Sequence, residues 1–271
     1  KWSVIPLSAR TEEALENMTS RLSAFLEKHP QTDIRDIART LQRGRMHFGC
    51  RRALTADSTS SLLSELTDRR WKERLVEGTG EGSAGSVYFL FPGAGSQYVG
   101  MGRELYEEEP VYRDAVDECA RILLPLLGED IRNILYAQEV DREAASQKMA
   151  APTFSFASLF ATEYALARFW LHQGICPAGY VGHSFGQYLA AVMAGVFSLE
   201  DALAIAVRRG QLMDRVEEGA MLLLYASEES ILPLLQGSLS IAAINAEKLC
   251  TVSGRPKDME VLEEKLGAMR I

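Results

Sequence analysis

The stretch GYVGHSFGQYLAAVMA, residues 179–194, decides the fold class. Gly179-Tyr180-Val181 reads as a short strand, Gly182-His183-Ser184-Phe185-Gly186 as a sharp turn, and Gln187 to Ala194 as the start of a helix. Strand, turn and helix in that order form the setting of a nucleophile elbow. The two flanking glycines permit a tight turn and a close approach of strand to helix, leaving the Ser184 hydroxyl exposed at the sheet edge. The helix also brings its positive end near Ser184, where an oxyanion would develop. The plain alternative is an ordinary strand-to-helix turn, because GxSxG recurs by chance.

Upstream, Val87 to Phe91 is a continuous apolar and aromatic run, expected as a strand buried on both faces of a parallel sheet. Phe91-Pro92-Gly93-Ala94-Gly95-Ser96-Gln97 follows it, and glycine there lets a backbone N–H approach a reacting carbonyl. A phosphate loop fits poorly, since neither GxGxxG nor a Lys-Ser/Thr ending is present. A helical region containing Leu159, Phe160, Tyr164 and Trp170 leads to the elbow strand. Alternating strand and helix predicts an α/β fold with a hydrolase-like parallel-sheet core.

After the elbow, Ser198 and Asp201 resemble a capping box, which predicts a helix over about 199–216. Its inward stripe is expected to hold Ala202, Ile205, Ala206, Leu212, Met213 and Val216, with Arg209 on the same stripe. An arginine on an apolar face needs a partner. Its fork fits a carboxylate ligand through two parallel hydrogen bonds, and the alternative is a structural ion pair with an internal Asp or Glu.

Before the elbow domain, Leu15, Met18, Leu22 and Phe25 mark a helix ending at His29-Pro30. Ile34, Ile37, Ala38 and Leu41 mark a second, Ala53 to Thr55 a short strand, and Leu62, Leu63 and Leu66 a third helix. EGTGEGSAGS, residues 77–86, has the composition of a flexible connection. From Met221 the pattern is β-α-β-β-α, which fits a ferredoxin-like small subdomain lacking its last strand, with Met269-Arg270-Ile271 as that strand's expected beginning. The predicted domains are therefore an N-terminal α/β linker over 1–84, the core over 85–217 and a truncated ferredoxin-like unit over 218–271.

The chain has 271 residues, 47% of them hydrophobic, and 29 Lys and Arg against 37 Asp and Glu. The net charge of −8 argues against nucleic acid or an anionic membrane as the main partner. No stretch approaches the roughly 20 apolar residues of a membrane span, so a soluble cytoplasmic protein is expected. Cys50, Cys119, Cys176 and Cys250 form no CxxC pair and suggest neither a metal site nor a disulfide framework.

Together these motifs resemble the acyltransferase domains of modular polyketide synthases, of the malonyl/acyl-carrier-protein acyltransferase family. FPGAGSQYVGMG is similar to the family's FPGQGSQ start, GHSFG to its GHSxG elbow, and SLFATEYALARFW to the helix before it. PLSARTEEAL and TLQRGR resemble a ketosynthase-to-acyltransferase linker, and AAINAEKLCTVSG the small subdomain.

The resemblance implies an enzyme in which Ser184 is the nucleophile, the amides of Ala94 and Phe185 form the oxyanion hole, and Arg209 holds the substrate carboxylate. His183, Phe156 and Gln187 would line the acyl pocket. It further implies a coenzyme A thioester as substrate, the phosphopantetheine thiol of an acyl carrier protein as acceptor, a neighbouring ketosynthase domain, and no bound cofactor. Phe185 after the nucleophile resembles malonyl-selective members. Ala94 and Phe156 stand where the family usually has Gln, and Gln187 replaces Glu. A serine nucleophile needs a base. His29, His47, His172 and His183 do not match the family's histidine, which is expected beyond Ile271. The rivals are a serine hydrolase or thioesterase, and a non-catalytic scaffold.

Overall fold

A computed structural model describes residues 2–67, 76–79, 85–217 and 219–269, which fall into two compact units, Lys1–Gly85 and Ser86–Ile271. The first is built on an antiparallel sheet of order β1-β2-β3, with β1 over Ser3–Ala9, β2 over Cys50–Ala56 and β3 over Val76–Thr79. Alternation decides β1: Ile5, Leu7 and Ala9 are buried between less buried neighbours, and Pro6 is tolerated because β1 is an edge strand. Helices α1 (Glu12–Lys28), α2 (Ile34–Arg43) and α3 (Thr59–Thr67) supply the core residues Leu15, Leu26, Ile37 and Leu62. The side chains of Thr11 and Asp33 cap α1 and α2 by accepting from the N–H groups of Ala14 and Arg35.

Two readings change here. β1 gave no recognised signal because Pro6 interrupts an otherwise clean alternation. Residues 77–79, expected in a flexible connection, belong to β3, where pairing with β2 overrides their glycine-rich composition. Residues 80–84 of that connection lie outside the described residues.

The second unit is α/β. Parallel strands β4 (Tyr88–Phe91) and β5 (Gly179–Gly182) pair in register from Tyr88 opposite Gly179 to Phe91 opposite Gly182. Between them run α4 (Arg103–Glu108), α5 (Pro110–Leu127), α6 (Ile131–Leu135), α7 (Arg142–Ala150) and α8 (Pro152–His172). After β5 come α9 (Gly186–Met193) and α10 (Leu199–Met213). The long helix α8 starts with Pro at its first position and is buried along most of its length, beside Cys119 and Leu123 of α5 and Ala206 and Val207 of α10 in one core. At Gly210 an added Cβ would lie 2.4 Å from the Thr153 Cα, so α10 can approach α8 this closely only with glycine there.

The expectation that residues 87–91 are buried on both faces is overturned. Phe91 is buried, but Tyr88 and Leu90 are 54% and 72% exposed. The sheet has two strands among the described residues, and the far face of β4 is not covered by them.

A second, antiparallel sheet of order β6-β8-β7 is formed by β6 (Ala220–Leu224), β7 (Ser240–Ala246) and β8 (Leu249–Gly254). Short α11 (Glu228–Ile231) and α12 (Pro256–Met269) bury Ile231, Met259, Leu262 and Leu266 with Leu224 and Val252. Met269, expected to open a strand, ends α12 instead, while Arg270 and Ile271 lie outside the described residues.

Candidate active site

The turn between β5 and α9 shows why both glycines are required. A Cβ on residue 182 would lie 2.3 Å from the Gln187 N, and one on residue 186 would lie 2.3 Å from the Phe91 O. Among the described non-glycine residues only Ser184 has a positive φ, +50°. This strained turn leaves the serine exposed between strand end and helix start.

The loop after β4 closes on the same point. A Cβ at Gly93 would lie 3.2 Å from the Ser184 Cβ and 3.4 Å from the His183 Nδ1, so the Pro92–Ala94 backbone is against the elbow. The His183 N–H donates to the Phe91 carbonyl at 2.9 Å, tying the turn to β4. The N–H groups of Ala94 and Phe185 donate to no protein acceptor among the described residues, which leaves two backbone donors beside the serine.

Ser184, Gln187, Tyr188, Ala191, Val196, Phe197 and Arg209 line one cleft of about 530 Å³. Arg209 reaches it from α10, whose first turn is capped by Ser198: its Oγ accepts from the Asp201 N–H at 3.0 Å and donates to Oδ2 of Asp201 at 2.8 Å. The expected stripe of α10 needs correction. Ala202, Leu203, Ala206, Val207 and Gly210 are buried, whereas Leu212, Met213 and Val216 are exposed and the helix ends at Met213. Small residues let α10 pack closely, turning Arg209 to the half-buried shoulder of the helix.

No carboxylate lies within 4.0 Å of the Arg209 guanidinium among the described residues. Its Nη1 donates to the Tyr188 hydroxyl at 3.0 Å, and its Cζ lies 5.6 Å from the Tyr188 ring centroid and 5.8 Å from that of Phe156. Asp214, in the next turn, accepts instead from the Thr153 hydroxyl at 2.5 Å. Phe156 is buried and stacks on Phe185 with centroids 4.4 Å apart and planes 13° from parallel. Such a pair adds about 1 kcal/mol beyond its buried area and fixes one wall next to the arginine.

His183 is exposed, and its Nε2 lies 3.3 Å from the Asn245 Oδ1 on β7. Sequence reasoning missed Asn245, and it also missed Tyr188, which lies one turn past the elbow. Gln187 lines the cleft from the exposed side of α9.

Residues 88–270 match the family model described as "Acyl transferase domain". The chain belongs to this acyl transferase domain family. Residues 3–66 match a second family, "CurL-like, PKS C-terminal", so both compact units of this polyketide synthase acyl transferase domain have relatives. The spectinabilin polyketide synthase system protein NorB of Streptomyces orinoci is 40% identical over 254 residues, 92% of this chain but 12% of NorB. The non-reducing polyketide synthase crz7 of Cladonia metacorallifera is 34% identical over 98% of this chain and 13% of its own length.

Among solved structures, the acyl transferase domain of ZmaA aligns with a TM-score of 0.84 and 37% identity, covering 100% of this chain and 63% of that one. The acyl transferase domain of SpnD, solved in complex with 2-(pent-4-yn-1-yl)malonyl, aligns with a TM-score of 0.83 and 36% identity over 99% of this chain and 62% of its own. The acyl transferase domain thus spans about an eighth of the curated relatives' length and under two thirds of these solved chains. Among the described residues no helix is long and apolar enough to cross a membrane.

Proposed function

We propose that the domain moves a malonyl-type acyl group from coenzyme A, through an ester on Ser184, to the phosphopantetheine thiol of an acyl carrier protein. The Ser184 Oγ attacks the thioester carbonyl, the carbon–oxygen bond forms, and the carbon–sulfur bond breaks with release of coenzyme A as its thiol. The carrier thiol then attacks the ester and frees the serine. The amides of Ala94 and Phe185 hold the oxyanion in both steps. A donor aimed at such an oxygen is worth about 3 kcal/mol.

The observation that carries this reading is the cleft shared by Ser184 and Arg209, in which the arginine has no acidic partner among the described residues. A guanidinium keeps its charge in a protein and fits a carboxylate through parallel hydrogen bonds. The malonyl group named for SpnD supports a dicarboxylic acyl unit. The stacked rings of Phe156 and Phe185 take up space beside Arg209 and favour malonyl over a branched unit. Phe156, where a glutamine is usual, makes that wall apolar, and Gln187 and His183 border the entrance.

A base must take the serine proton; the resemblance assigns that role to a histidine, which none of His29, His47, His172 and His183 matches. A ketosynthase domain of the same synthase is the expected neighbour, since residues 3–66 match a polyketide synthase family of their own. The intact protein incubated with malonyl-CoA gains the malonyl mass on the peptide containing Ser184. Absence of that gain, or labelling elsewhere, rejects the scheme.

A further inference from the structure

We propose that Tyr188 is the second arm of the carboxylate receptor: its hydroxyl accepts from Arg209 and donates its own proton to the acyl carboxylate. The inference rests on the reading of Arg209 given above, and deepens it by adding a residue that selects the same substrate class.

A phenol has one proton to give and lone pairs to accept with. Here the acceptor side is used, by Arg209 Nη1 at 3.0 Å, and the proton has no acceptor among the described residues. Tyr188 and Arg209 both line the cleft that contains Ser184, so the unused O–H and the remaining guanidinium N–H groups border the same space. Two donors of different geometry can then meet the two oxygens of one carboxylate.

The pair is held before any ligand arrives. Tyr188 sits in the first turn of α9, with its ring 5.6 Å from that of Phe185, which is itself stacked on Phe156. The guanidinium carbon lies within 6 Å of both the Tyr188 and Phe156 rings, so the aromatic faces stabilise the cation without neutralising it. The acid best placed in sequence to compete, Asp214, is bound to Thr153. The Gly210 contact with Thr153 fixes the helix from which Arg209 extends. A receptor fixed in this way loses little entropy on binding.

The test is a comparison of Ser184 acylation by malonyl-CoA and acetyl-CoA in the intact protein, with Tyr188→Phe, Arg209→Gln and the double variant. Tyr188→Phe is expected to lower the malonyl-to-acetyl ratio of kcat/KM about tenfold, the effect of one hydrogen bond to a charged group. The loss falls mainly on KM for malonyl-CoA. In the Arg209→Gln background the same change costs clearly less, because both residues act on one carboxylate. A ratio that Tyr188→Phe leaves unaltered overturns the proposal, and so does an equal loss with both thioesters, which marks a structural role. If Arg209→Gln lowers the ratio and Tyr188→Phe does not, the receptor stands on Arg209 alone. If Arg209→Gln leaves it unaltered, the carboxylate reading itself fails and the Tyr188 proposal falls with it.

Discussion

Arg52 in the N-terminal unit and Arg209 in the acyl transferase core are both withdrawn from water, and their surroundings differ in kind. Arg52 is 4% exposed and fully engaged: Nη1 donates to the Thr19 hydroxyl at 2.7 Å and Nη2 to the Glu16 carboxylate at 2.6 Å. Arg209 is half-buried at a cleft, with two aromatic rings and a hydroxyl around it and no acid within 4.0 Å among the described residues. The first cation is balanced by its own fold. The second has its charge held by a hydroxyl and two rings, with no balancing carboxylate among the described residues. A buried acid completes the contrast. Glu163 on α8 is 7% exposed with neither oxygen bonded among the described residues, and burial raises its carboxyl pKa to about 8. A carboxylate without a partner can take up a proton; an arginine cannot.

The comparison is broken most forcefully at Arg52. Arg52→Ala should destabilise the N-terminal unit by roughly 3 kcal/mol in urea unfolding, since it removes a buried cation from its partners. An effect near zero at Arg52 would remove the distinction between the two arginines. Glu163→Gln sharpens it through pH. Below pH 4.5 the carboxyl is protonated in both folded and unfolded chains; between 4.5 and about 8 the folded chain holds a proton that the unfolded chain has released. Stability therefore falls as pH rises through that window. Glu163→Gln should abolish this fall and be more stable than the parent above it by about 1 to 3 kcal/mol, read from urea midpoints at about pH 5 and about pH 9. Parallel pH profiles for parent and variant would show that Glu163 is partnered after all. The smallest effect belongs to Arg209→Ala, which should change stability by less than about 1 kcal/mol. A loss matching that of Arg52→Ala would make Arg209 a structural residue.

The elbow was legible because the chain writes it in glycine. Only that residue survives backbone approaches of 2.3 Å at positions 182 and 186, so the motif and the geometry carry the same information. Arg209 was legible as an arginine on an apolar helix, but its orientation was not. The periodic stripe gave equal weight to Leu212, Met213 and Val216, whereas α10 packs through Ala202, Ala206 and Gly210 because small residues permit the closer approach. Tyr188 was hidden by its apolar neighbours on α9, since a tyrosine there reads as core until a guanidinium is found on its hydroxyl. β1 and β3 were unread for a related reason: Pro6 and the glycines of 78–85 suppress local strand propensity, and pairing with β2 restores it. The helices between residues 103 and 150 were not predicted. Their core residues, such as Tyr112, Cys119 and Leu123, carry no chemistry that separates them from other apolar helices.

The most direct test is a crystal structure of the intact protein with malonyl esterified to Ser184. The account predicts that the free carboxylate lies about 3 Å from a guanidinium nitrogen of Arg209. A malonyl carboxylate turned out to solvent, or Arg209 drawn away onto an acidic side chain, would contradict it.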